Sequence, residues 1–105
     1  MPEAQAFLSV ATEIAQLLQR LGVPGAAHTG GELTVRSPVT GEVVAQVRQT
    51  TAAEAAAAIG QAHEAFKAWR SVPAPRRGEL VRLLGEELRA AKADLGRLVT
   101  LEAGK

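Results

Sequence analysis

Trp69 to Lys105, WRSVPAPRRGELVRLLGEELRAAKADLGRLVTLEAGK, is the stretch around which the chain is organised. It opens on the aromatic end of one helix and crosses a proline-paced turn. It then runs through a long amphipathic segment, breaks near Asp94 and closes on a second apolar run. Val72-Pro73-Ala74-Pro75 forces an extended connection, because a residue before proline avoids the α region, and proline is harmless in a helix's first turn. From there the spacing predicts a helix over 75–92, with Val81, Leu84, Leu88 and Ala91 as its buried stripe. Glu79, Arg82, Glu86 and Arg89 lie three or four apart with opposite signs, the pattern of a solvated face. Asp94 is the expected N-cap of a last helix over 94–103.

Working back from Trp69, Thr51-Ala52-Ala53-Glu54 is a capping box, which opens a helix predicted over 52–70. Its stripe is Ala52, Ala55, Ile59, Ala62, Phe66 and Trp69. Residues 32–47 read as a β-hairpin: Leu33 and Val35 alternate with polar neighbours, as do Val43, Ala45 and Val47 on the return. Ser37-Pro38-Val39-Thr40-Gly41 supplies the turn. Before it, residues 25–31 are a glycine-rich connector in which His28 reads as a solvated loop residue. Phe7, Ala11, Ile14, Leu18 and Leu21 mark a first helix over 3–21, ended by Gly22 and Pro24. The expected fold class is therefore α+β, mainly helical with one hairpin, in a single partial domain over 1–105.

Composition removes several functions. The net charge of +1 gives no electrostatic case for nucleic acid or an anionic membrane. Phe7, Phe66 and Trp69 are the only aromatics of the Phe, Tyr and Trp types. No apolar run approaches the roughly 20 residues of a membrane span. Glu3 and Glu13 interrupt the opening residues, which argues against a signal peptide and leaves the cytoplasm as the expected location. Arg76-Arg77 lies at a helix start without a glycine loop, so it reads as surface. Gly104-Lys105 lacks the upstream glycine and the following hydroxyl residue of a phosphate loop.

Four segments taken in order resemble the aldehyde dehydrogenase superfamily. They are Arg36-Ser37-Pro38-Val39-Thr40-Gly41-Glu42-Val43-Val44-Ala45, then Ala65-Phe66-Lys67-Ala68-Trp69, then Pro73-Ala74-Pro75-Arg76-Arg77, and finally Leu98-Val99-Thr100-Leu101-Glu102-Ala103-Gly104-Lys105. The wording of the last 34 or so residues is most similar to the antiquitin-like branch, which oxidises α-aminoadipic semialdehyde in lysine breakdown. The resemblance implies the N-terminal part of an α/β enzyme cut off at its C-terminus, with NAD or NADP bound by the parent protein and none by this segment. It implies as partners the remainder of the enzyme chain and the subunits of a homo-oligomer. It also implies an ion site: Glu102 together with the backbone carbonyls of Val35 and Arg36 around a monovalent cation, against the plainer reading of Glu102 as a helix-surface or capping carboxylate.

Family chemistry needs a cysteine thiolate, an asparagine amide and a glutamate base. This chain has neither cysteine nor asparagine, and the family's cofactor loops and base fall beyond Lys105. No catalytic, cofactor-binding or metal residue is therefore assigned, and the 105-residue chain is expected to be inactive. Ser9, Ser37 and Ser71 have no histidine at usable spacing, and His28 and His63 have no evident acidic orienter. The rival readings are a small self-contained helical module that binds a partner helix with the Phe7–Leu21 stripe, and a regulatory remnant that joins full-length subunits.

Overall fold

A computed structural model describes residues 8–105. Element order is α1 (Val10–Arg20), a short 3-10 turn (Gly25–Ala27), β1 (Leu33–Arg36), β2 (Val43–Val47), α2 (Ala52–Trp69), α3 (Ala74–Ala90) and α4 (Lys92–Ala103). The mainly helical α+β class with one antiparallel hairpin is what the sequence predicts. Where one partial domain is expected, the described residues group into two compact units. One holds α1, the hairpin and α4; the other holds α2 and α3.

In the first unit, Val10, Ile14, Leu17 and Leu101 form the buried core, with Leu18, Val44 and Leu98 packed on it. Among the described residues, three of the four buried apolar side chains come from α1, so this one helix organises the unit. Glu3 to Phe7, the start of the expected first helix, lie outside the described residues; the described helix begins after Ser9. Its buried face is centred on Val10, Ile14 and Leu17, one position round from the Ala11–Ile14–Leu18 line expected. Gly22 ends α1 with φ +79°, and its amide reaches the Gln19 carbonyl while that of Val23 reaches Leu18. This is a Schellman termination, which glycine accepts without Cβ strain.

The hairpin pairs Leu33 with Val47 and Val35 with Ala45, then shifts so that Arg36 faces Val43. This bulge leaves Val44 as the extra residue and packs it on the core, whereas the plain alternation pointed to Val43. Val43 is instead exposed. Gly31 sits so close to β2 that a Cβ there would lie 2.0 Å from the Val47 carbonyl carbon. Only glycine fits at that approach.

Asp94 is not the cap of α4. The helix begins two residues earlier, with Ala91 as the boundary (φ −93°, ψ 7°) and no side-chain cap. Lys92 and Ala93 are ordinary helix formers, and Asp94 in the first turn gives its carboxylate to Arg20 instead.

In the second unit, the capping box at Thr51 forms as expected, the hydroxyl accepting from Glu54 N at 3.1 Å and the carboxylate accepting from Thr51 N at 3.1 Å. Arg82 bridges Glu79 and Glu86 along the solvated face of α3. The expected burial does not follow. Neither helix has a buried residue; Ile59 is 72% exposed, and Phe66, Trp69, Val81, Leu84 and Leu88 are all exposed too. A stripe buries only against a second surface, and within this unit α2 and α3 do not bury each other's.

Candidate functional site

The densest polar geometry lies at the hairpin turn, which holds a helix at each end. Val10, Ala11 and Thr12 carry the free amides of the first turn of α1. Glu42 accepts from Val10 N at 3.4 Å and from Ala11 N at 3.2 Å, and Ser9 Oγ accepts from Thr12 N at 3.1 Å. All three donors are satisfied. The carboxylate also meets the positive end of the helix dipole. The Ala11 amide, and after it the Thr40 hydroxyl, hold the Glu42 carboxyl below its ordinary value.

Ser37, at the other side of the turn, is buried, and its hydroxyl donates to the Leu101 carbonyl in the last turn of α4. It also accepts from Val39 N at 3.2 Å. Gly41, with φ +79°, donates to the Ser37 carbonyl and closes the turn. Ser37-Pro38-Val39-Thr40-Gly41-Glu42 is thus a turn whose first residue serves the end of one helix and whose last serves the start of another. Sequence reading found the turn and missed both caps, because a cap supplied from 31 or 64 residues away leaves no local spacing to read.

Two ion pairs fasten α1 to α4. Arg20 donates to both Asp94 oxygens, at 3.3 and 3.1 Å, and Arg97 donates to both Glu13 oxygens, at 2.6 and 3.2 Å. The hydrogen bond from Arg97 holds Glu13 below its ordinary value, and its counterpart raises Arg97. These pairs are mostly exposed, so they add register more than stability.

Glu102 is exposed on α4, at a cavity of about 160 Å³ that Val35 also lines. Structure and resemblance therefore bring Glu102 and Val35 to one place. Arg36 does not line the cavity; its guanidinium donates to the Gly41 carbonyl at 3.1 Å. The rest of the lining is aliphatic, from Ile14, Leu18, Val44, Ala45, Val47 and Leu98, so Glu102 is the single charged donor there. Among the described residues, no group of three or more His, Asp or Glu side chains is placed to hold a metal ion.

The candidate nucleophiles and bases are dispersed. Ser9 caps α1, Ser37 serves α4, and Ser71 lies in the turn after α2. His28 closes the 3-10 turn, and its carbonyl accepts from Gln46 N at 3.0 Å. His63 stands on α2 with its ring 6.2 Å from that of Phe66. No helix among the described residues is long and apolar enough to cross a membrane.

The elements that carry this geometry are those of a known family. The aldehyde dehydrogenase family model matches residues 8–105, and the chain belongs to that family. It is 48% identical over 69 residues to aldehyde dehydrogenase family 7 member A1 of Pisum sativum, a match covering 66% of this chain and 14% of the pea protein. It is 43% identical over 76 residues to the α-aminoadipic semialdehyde dehydrogenase of Rattus norvegicus, covering 72% and 14%. Malonate-semialdehyde dehydrogenase 3 of Geobacillus kaustophilus is 42% identical over 95 residues, covering 90% and 20%. The matched region thus spans between a seventh and a fifth of the length of these relatives.

Proposed function

We propose that this chain is the N-terminal scaffold and subunit-assembly segment of an NAD(P)-dependent aldehyde dehydrogenase, one that oxidises a semialdehyde of the α-aminoadipic kind to its carboxylic acid. Its partners are the rest of such an enzyme chain and further subunits. The segment contributes no catalytic or cofactor-binding side chain: the thiolate and the oxyanion amide that this chemistry uses have no candidates in a sequence without cysteine or asparagine.

The observation that carries the scaffold role is the state of α2 and α3. α2 opens on a capping box and α3 carries a patterned charged face, yet neither of these helices, each with an apolar stripe, has a buried residue. A patch around Ala62, Ala65, Phe66, Trp69 and Val72 encloses an open hollow of about 620 Å³ with almost purely apolar walls. Exposed apolar surface on this scale suits protein covering. The rival reading, a free module that binds a helix through its first stripe, loses support because Ile14 and Leu17 are already spent inside the unit. A monovalent cation at Glu102 has one charged side-chain donor in an aliphatic cavity and is not part of this reading.

The test is complementation. A rat α-aminoadipic semialdehyde dehydrogenase lacking its matched N-terminal region is co-expressed with this chain. Co-purification and recovery of semialdehyde-dependent NAD+ or NADP+ reduction are expected. A soluble remainder that ignores the chain would count against the scaffold role.

A further inference from the structure

The hairpin and α4 together form the groove in which α1 sits, and they hold it by packing and by charge register. Apart from the Ser9 cap and the Gly22 termination, the groups named above that hold α1 come from far along the chain. Glu42 receives its first-turn amides, Arg97 takes Glu13, Asp94 takes Arg20, and Leu101, Leu98 and Val44 close on Val10, Ile14 and Leu17. The acid at 13 meets a base and the base at 20 meets an acid, so only one orientation of the helix satisfies both pairs.

The connector after α1 is held by few bonds. After the Schellman termination, Val23 to Ala27 is held by little more than one short turn: Ala27 N to the Pro24 carbonyl at 2.9 Å, His28 N to the Gly25 carbonyl at 3.2 Å, and the Thr29 hydroxyl to the same carbonyl at 2.8 Å. Beyond it the chain is pinned to β2 through the His28 carbonyl and the Gly31 amide, both bonded to Gln46. Five extended residues reach roughly 17 Å, comparable with the ~16 Å length of an 11-residue helix.

We propose that the groove accepts α1 from a second copy of this chain, giving a reciprocal dimer in which each α1 completes the core of the other. Such an exchange keeps every contact named above and breaks only the connector turn, which is why exchange of an identical element is a low-cost route to a dimer. Charge register selects α1 over other amphipathic segments of the same chain. This inference stands on the first unit alone and does not depend on the scaffold role.

Charge reversal separates exchange from simple adhesion. One variant carries Glu13→Arg and Arg20→Glu in α1; a second carries Asp94→Arg and Arg97→Glu in α4. Each alone sets like charges against each other in its own groove. In a mixed dimer, one helix meets the reversed groove and the other meets the native groove, so all four pairs are opposite in sign. Native mass spectrometry of the mixture is expected to show the mixed dimer well above its statistical share, while the variant carrying all four changes behaves as the unaltered chain does. Apolar association through α2 and α3 is common to all these proteins and gives only the statistical share. A mixture without enrichment overturns the proposal. Deleting Pro24 to Ala27 supplies an independent readout if the four-change variant does not fold: the shortened connector should drive the chain to an obligate dimer, and a shortened chain that stays monomeric overturns the proposal as well.

Discussion

Replacing Leu17 by alanine attacks the first unit at its most deeply buried apolar side chain. Leu17 is 1% exposed, the lowest of the four buried apolar side chains among the described residues. Truncating a buried leucine costs about 3 kcal/mol or more, from lost transfer free energy plus the cavity left behind. A unit of about 60 residues holds roughly 3–9 kcal/mol on the usual per-residue scale. The substitution therefore removes between a third and all of the stability of this unit. Hydrogen exchange read peptide by peptide is the suitable assay, because it follows each helix separately. At about tenfold per 1.4 kcal/mol, amides in α1, the hairpin and α4 should exchange on the order of 100-fold faster. Those of α2 and α3, which have no buried residue to lose, should hardly change. Leu84→Ala is the control: at 57% exposed, its effect should stay within about 0.5 kcal/mol. The reasoning fails if Leu17→Ala leaves exchange in α1 and α4 within about twofold, or accelerates α2 and α3 to the same degree.

Other expectations follow from the same geometry. Ser37→Ala strips the Leu101 carbonyl and the Val39 amide of their partner and should cost about 1–3 kcal/mol in a urea melt of the first unit, whereas Ser37→Thr, which keeps the hydroxyl, should cost less. Gly31→Ala should be as damaging as a core truncation, since its Cβ would collide with the backbone of β2 rather than with a movable side chain; an unchanged melting midpoint would refute the close approach. Acid should release α1: Glu42 and Glu13 have lowered values in the fold, so their contribution is present above the ordinary carboxylate value of about 4.5 and is lost as pH falls through the lower folded value. Glu42→Gln should flatten that acid limb of the stability profile. Finally, the purified chain should self-associate through the bare faces of α2 and α3, and Leu84→Glu with Leu88→Glu should weaken that in sedimentation; a sharply melting, concentration-independent monomer would contradict it.

Local signals were legible in the sequence and long-range ones were not. The Thr51–Glu54 capping box, the Gly22 termination, the Gly41 turn and the Pro73–Pro75 helix start all rest on neighbours a few residues apart, and all formed. Asp94 was misplaced because an aspartate before an apolar run has the composition of a cap, while its actual partner, Arg20, is 74 residues away. The inward turn of Val44 is not legible because the bulge breaks the two-residue alternation, so that Val44 and Ala45 are both part-buried, and nothing in the residue types marks where it falls. The stripes of α2 and α3 gave correct helices but no burial: periodicity reports which face is apolar and is silent on what covers it. The family, by contrast, was legible, because the SPVTGE turn, the aromatic helix end and the closing Leu-Glu-Ala-Gly-Lys occur in one order.

The central claim is that this segment lends an aldehyde dehydrogenase structure and not chemistry. Its most direct test compares the 105-residue chain with a chimera in which this segment replaces the matched region of the rat α-aminoadipic semialdehyde dehydrogenase. Both are given α-aminoadipic semialdehyde with NAD+ or NADP+, and the reduced nicotinamide is followed by its absorbance. The account predicts no signal above the buffer blank from the chain and turnover from the chimera. Reduced cofactor from the chain alone, or a folded and assembled chimera without turnover, would contradict it.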